Sequence, residues 1–254
     1  MTGAFSGGSG GIEERHLLFA HFLRKPDEEL DLAVGALLIA EEEYPGLDVS
    51  RYVARIDRLA DGARRHVPAA AGGEPALVVA AMRSHLALEL GFRGDEENYY
   101  DPRNSYLNEV MDRKLGIPIT LSLLYIEVGR RLGFDLVGVG FPGHFLVKHV
   151  MDRHQIVIDP FFGGRTLDLD DLRQLLQGVA GGGDVEPGHL EAVGGREILA
   201  RVLRNLRANY LRVSDAARAL SAVEKLMLVE PENDALPAER ETLERLLANK
   251  LAQA

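Results

Sequence analysis

The chain has 254 residues, enough to bury a substantial core as one large domain or two small ones. Apolar residues make up 46% and charged residues 27%, a globular composition. The formal net charge of −10 argues against binding a phosphate backbone, because nucleic-acid domains normally present a basic face. There is no cysteine, which excludes disulfides, cysteine-ligated metals and any thiol nucleophile.

The opening "MTGAFSGGSGG" has neither a basic region nor an apolar stretch of signal-peptide length, and it reads as a flexible tail over 1–11. No apolar run approaches the ~18 residues a membrane span requires, so a cytoplasmic protein without membrane contact is expected. A helical N-terminal subdomain is expected over 12–70. Its first helix runs through "IEERHLLFAHFLRK" and stops at Pro26. A second covers "DEELDLAVGALLIAEEEY", with acids in the first turn where the helix dipole favours them. Asp48 is placed to cap a third, along which Val49, Tyr52, Val53, Ile56, Leu59, Ala60 and Ala63 make one apolar stripe.

The short linker "PAAAGGEP" leads into the region 71–180. A helix opens at Pro75 and closes at Gly91. The polar, turn-rich "RGDEENYYDPRNS" follows, with Asn104 as a cap for a helix over "SYLNEVMDRKLG". "GIPITLSLLYIEVGRRLG" is bracketed by Pro118 at a first helical position and Gly133 just past the end; apolar nearly all round, it predicts a buried central helix. "DLVGVGF", "HFLVKHV" and "QIVID" are β-branched runs separated by short turns and predict three antiparallel strands. "GGRTLDLDDLRQLLQG" reads as a loop and a helix capped near Asp168, and a glycine-rich linker is expected over 181–194.

The segment 195–254 is helical again. Tyr210, Ala219 and Pro231 fall at the spacing of the tyrosine, alanine and proline of a tetratricopeptide unit, although Arg207 stands where a small residue belongs. A plain helical hairpin is the alternative. One unit is too few to stand alone, so it should dock on the preceding domain.

A buried helix followed by strands that carry a histidine and an acid is the order of a papain-type hydrolase. There the nucleophile sits at the helix N-terminus, where the dipole lowers its pKa. A strand histidine takes its proton, and a carboxylate fixes the imidazole tautomer. In this chain the helix starts at Pro118, the histidine is His144 and the carboxylate is Asp159. Ser122 lies one turn beyond Pro118 on the same face and is the alternative nucleophile; it would sit about 6 Å deeper, with little of the dipole effect. A buried serine bonded to its own backbone is the simpler account of it. His144 can equally be a structural histidine, and Asp159, before Pro160, a turn residue. Asn104 and Asn108 are candidates for the same cleft. His144, His149 and His154 recur every five residues, but odd spacing on a strand sends side chains to opposite faces, so no metal site is assigned. The glycine runs lack a strand-to-helix phosphate loop, and no cofactor is expected.

Together, "YYDPRNSYLNEVMDRKLGIPITLSLLYIEVGRRLG", "GVGFPGHFLVKH" and "IDPFFGG" resemble the SirB-type transglutaminase-like proteins with C-terminal tetratricopeptide repeats, over most of residues 28–230. The resemblance implies an α+β fold: a transglutaminase-like (papain-like cysteine-proteinase) core with helical N-terminal and C-terminal parts. It also implies that Pro118 holds the position of the superfamily's cysteine, and that Gly-Ile-Pro is this branch's own pattern. Base and orienter remain while the attacking group is missing. The expected function is a non-catalytic module that binds a protein or peptide. An amide or ester hydrolase using Ser122, or a water activated by His144 and Asp159, is the alternative.

Overall fold

In the computed structural model, which describes residues 9–68, 74–150, 155–180 and 183–253, one helix organises the rest. This helix, α6 (Pro118–Leu132), has Leu121, Leu123, Leu124, Tyr125 and Val128 almost wholly shielded from solvent. Pro118 occupies its first turn, and Gly133 closes it in the left-handed conformation (φ +72°) that a side chain would disfavour. The helices before it in the chain are α1 (Ser9–Phe22), α2 (Leu32–Ala40), α3 (Val49–Arg64), α4 (Pro75–Arg83) and α5 (Leu107–Arg113). Two parallel bridging strands, β1 (Arg93–Gly94) and β2 (Leu115–Gly116), tie the segment after α4 to the residues that lead into α6.

On the other side of α6 lies an antiparallel sheet. The three expected strands are present as β3 (Val137–Val139), β4 (Leu146–Val150) and β5 (Gln155–Asp159), pairing in meander order. Two short strands join them: β6 (Arg165–Leu167) pairs with β5, and β7 (Ala192–Val193) pairs with β3, giving the order β6-β5-β4-β3-β7. Alternation along the strands separates two packings. Phe145, Val147 and Ile158 belong to the core that includes α6, whereas Val139, Leu146, Val157 and Leu167 pack with Leu172 and Leu176 of α7 (Leu169–Ala180).

Several local readings change. The stretch 27–44 is not one helix: a 3₁₀ turn at Asp27–Glu29 precedes α2, and Asp31 caps α2 by accepting from the Val34 amide. Glu127, brought in from α6, accepts from the Leu32 amide at 3.0 Å, which a sequence window cannot reveal. The helix after Pro75 changes to a π-turn over Ser84–Glu89, and Gly91 follows with φ +81°. Tyr106, not Asn104, is the N-cap residue of α5, and Asn104 lies in a 3₁₀ turn, Pro102–Ser105. Asp48 caps α3 as expected, accepting from the Arg51 amide. The linker expected over 181–194 contains the 3₁₀ turn Pro187–Leu190 and strand β7. The tail expected over 1–11 falls largely outside the described residues, and its last part, from Ser9, already belongs to α1.

The C-terminal segment forms α8 (Gly195–Arg212), α9 (Ala216–Val229) and α10 (Ala235–Gln253). Helix α8 packs on α2, α6 and the turn at 102–105. Leu199, Val202, Leu203 and Leu206 join the same core as α6, and the Tyr210 and Tyr106 hydroxyls meet at 2.6 Å. Among the described residues no helix is long and apolar enough to cross a membrane.

Candidate functional site

The sequence around His144 is built to present it. After β3 the chain turns through Gly140, Phe141, Pro142 and Gly143. Gly143 takes φ +66°, and the His144 amide closes the turn on the Phe141 carbonyl at 3.0 Å. Asp159 ends β5 and is fully buried. Its Oδ1 accepts from the amides of Phe161 (3.0 Å) and Phe162 (3.3 Å), an Asx-type turn that fixes the carboxylate before Pro160 bends the chain.

His144 Nε2 lies 3.1 Å from both Asp159 oxygens. An ionised carboxylate only accepts, so Nε2 carries the hydrogen and donates it, leaving Nδ1 as the basic nitrogen. The imidazole packs edge-on to Phe161 and nearly parallel to Phe162, and its side chain keeps 11% of its exposure. The acid is thus dry and saturated while the base reaches solvent, the division of labour that a hydrogen-bonding or proton-accepting histidine requires.

His144 opens on a cavity of about 400 Å³. Ile117, Pro118 and Ile119 form one wall, so the positive end of the α6 dipole borders the cavity. Phe141 and Phe145 supply apolar surface, and Arg201, Arg204 and Asn205 enter from α8. Gly140 lets Arg201 lie there: a methyl group at residue 140 would stand 2.5 Å from the Arg201 guanidinium. Arg201 Nε is held by Glu197 Oε1 at 2.9 Å, and its guanidinium stacks over the Phe145 ring. Glu197 also receives Arg204; burial acts against its ionisation, but these two arginines outweigh it and hold its carboxyl below the usual range.

The structure therefore brings Pro118, His144 and Asp159 to one place. The other sequence candidates sit elsewhere. Ser122 is fully buried, donates to the Phe145 carbonyl at 3.4 Å and does not line the cavity. Asn104 is also fully buried: Nδ2 donates to the Asn98 carbonyl, Oδ1 accepts from Arg113, and its own carbonyl accepts from Thr120 Oγ1. Asn108 is buried on α5, and its Oδ1 has no partner among the described residues. Neither asparagine lines the cavity. His149 stacks on Phe134 and faces the Asp135 carbonyl; His154 lies outside the described residues.

Sequence reasoning missed Arg201, Arg204 and Asn205, whose helical spacing on α8 looks like an ordinary solvated face. It also missed His66, His85 and Glu89, which bring one possible metal-ligating atom each within 4.8 Å of one another, with Glu89 Oε2 hydrogen-bonded to both rings.

A buried helix whose N-terminus meets a His–Asp pair on an antiparallel sheet defines the transglutaminase-like class. The chain belongs to the transglutaminase-like superfamily, whose family description matches residues 50–204. Its relatives include a UPF0162 protein of Xylella fastidiosa (strain 9a5c), 43% identical over 213 residues that span 81% of this chain and 75% of that protein. A UPF0162 protein of Vibrio cholerae is 33% identical over 57% of this chain and 54% of its own length. F-box only protein 21 of Homo sapiens is 29% identical over 73% of this chain, a match confined to 33% of the human protein. No solved structure matches the chain.

Proposed function

We propose that this is a SirB-type transglutaminase-like protein that has no nucleophile and acts in the cytoplasm as a non-catalytic module binding a protein or peptide in the His144 cleft. The observation that carries this reading is the residue that shares the cleft with His144 at the start of α6. Pro118 has no ionisable or attacking atom, and the chain has no cysteine to replace it. Without a nucleophile, His144 remains a directional hydrogen-bonding group in a cleft with apolar walls and arginines, which suits a peptide's mixture of amides and side chains. Helices α8 and α9 are read as one tetratricopeptide-like unit, with Tyr210 and Ala219 buried at the signature positions. Such units ordinarily make protein contacts.

A second reading is favoured by the intact His144–Asp159 pair: an amide or ester hydrolase in which His144 activates a water. The burial of Ser122 and its bond to the Phe145 carbonyl speak against serine as the attacking group. One pair of assays separates the readings. On an immobilised peptide array, the wild type should select a common motif, and His144→Ala and Arg201→Ala should each weaken that selection. On a panel of esters and amides, the wild type and His144→Ala should show the same background turnover. Turnover lost in His144→Ala would establish the hydrolase instead. Deleting 195–254 is not a clean partner test, because α8 forms part of the core.

A further inference from the structure

A cavity that shares no lining residue with the His144 cleft concentrates positive charge in a protein whose formal net charge is −10. It measures about 270 Å³. Arg55 and Arg58 reach it from α3, Arg65 from the C-cap of that helix, and Lys114 from the end of α5. Leu59, Leu90, Phe92 and Met111 make its apolar floor.

Compensation of this charge is incomplete. Arg55 pairs with Asp112 and donates to the Met111 carbonyl. Among the described residues, Arg58, Arg65 and Lys114 have no ion pair. Lys114 Nζ lies 4.3 Å over the Phe92 ring, and burial, followed by the nearby Arg55 charge, pushes its pKa down.

The backbone supplies an independent observation. Lys114 is one of two residues other than glycine in the described chain with a positive φ: it caps α5 in the left-handed conformation at φ 64°, ψ 16°. Glycine or asparagine is ordinarily favoured there, because a β-carbon is strained in that conformation. A lysine kept at that cost, with its ammonium directed into a cavity among arginines, is a poor choice for stability alone. Strain retained against local preference is a mark of function.

We propose that this cavity is a binding site for the phosphate group of a small phosphorylated ligand. The planar guanidinium groups of Arg55, Arg58 and Arg65 match phosphate oxygens in paired hydrogen bonds, and Lys114 supplies a point charge. The apolar floor under the cations receives the organic part of the ligand. His85 closes one wall, its Nδ1 already bonded to Glu89. The four cations surrounding that wall favour an anion over a metal ion at the neighbouring His66–His85–Glu89 group.

The test uses the full chain with inorganic phosphate and pyrophosphate as probes, followed by calorimetry at low salt. Saturable one-site binding is expected, tighter for pyrophosphate and weakened by added salt. Lys114→Gly and Arg65→Gln should each weaken it by about tenfold or more, equivalent to about 1.4 kcal/mol. Arg173→Gln, on α7 and remote from the cavity, should leave it unchanged. Lys114→Gly has a second readout. Because glycine relieves the left-handed strain, its melting temperature without ligand should equal or exceed that of the wild type, so a loss of binding cannot be ascribed to misfolding. No saturable binding of either probe, or binding that Lys114→Gly and Arg65→Gln leave intact, would overturn the proposal.

Discussion

Two fully buried carboxylates, Glu127 on α6 and Asp159 at the end of β5, are handled in opposite ways. Glu127, on the helix itself, is closed in on every side. One oxygen accepts from the Leu32 amide at the start of α2, and the other accepts from Arg131 at 2.6 Å. Burial and then the nearby Asp31 hold its carboxyl above the usual range, while Arg130 and Arg131 oppose them. Its hydrogen bonds join α6 to α2, and nothing is left over for a ligand. Asp159 is just as dry, but one of its partners is an imidazole that reaches a cavity. A buried charge bonded only to the frame is architecture. A buried charge that orients a partly exposed base is a device whose last connection points outward.

Substitutions can break this contrast. The largest effect is expected for Glu127→Ala, which strands the Leu32 amide and leaves Arg131 partly buried without its helix partner. Unfolding in denaturant should show a loss of about 3–5 kcal/mol. Asp159→Ala frees the amides of Phe161 and Phe162 together with the histidine, and should cost about 2–3 kcal/mol. His144→Ala should cost about 1 kcal/mol or less, because Asp159 keeps both backbone donors. A cost for His144→Ala as large as that for Glu127→Ala would make the histidine structural and remove the distinction.

Tyr210→Phe probes the junction between α8 and the turn at 102–105. It removes the hydroxyl contact with Tyr106, at a cost of about 1 kcal/mol near neutral pH. Burial pushes the Tyr210 phenol up to about 12, against an ordinary value of 10.0, although the bond to Tyr106 works the other way. The folded state therefore holds this proton more tightly than the unfolded chain. The associated stability is intact below pH 10 and is lost as the pH rises toward about 12, at up to about 1.4 kcal/mol per pH unit. Denaturation followed across that window should be less steep in Tyr210→Phe. Ser122→Ala should change stability least, by about 0.5 kcal/mol or less, given its single long hydrogen bond, and it should leave peptide selection untouched.

Much of the frame was legible because its signals are local. Pro118 and Gly133 bracket a helix by what each does to backbone conformation. Asp48 caps α3 through a bond three residues away, and the β-branched runs alternate as strands must. What stayed hidden depends on residues distant in sequence. The break before α2 is completed by Glu127, and Tyr106 rather than Asn104 caps α5, Asn104 being held by Asn98 and Arg113. Strands β6 and β7 are only three and two residues long, too short to show a period, and become strands only where β5 and β3 offer an edge. At the cleft, the meeting of His144 with Asp159 followed from strand order. The contribution of α8 did not, because the room for Arg201 is made by the absence of a side chain at Gly140.

The central claim is that residue 118 stands where an attacking sulfur would face His144, and restoring that sulfur tests it most directly. Pro118→Cys gives the chain its sole thiol, so the rate of alkylation by iodoacetamide as a function of pH reports one group. The account predicts a thiol that reacts as a thiolate well below the ordinary cysteine pKa of about 8.5, through the α6 dipole and His144, and that loses most of this advantage in Pro118→Cys/His144→Ala. A thiol that titrates at the ordinary value in both proteins, in a chain that remains folded, would contradict it.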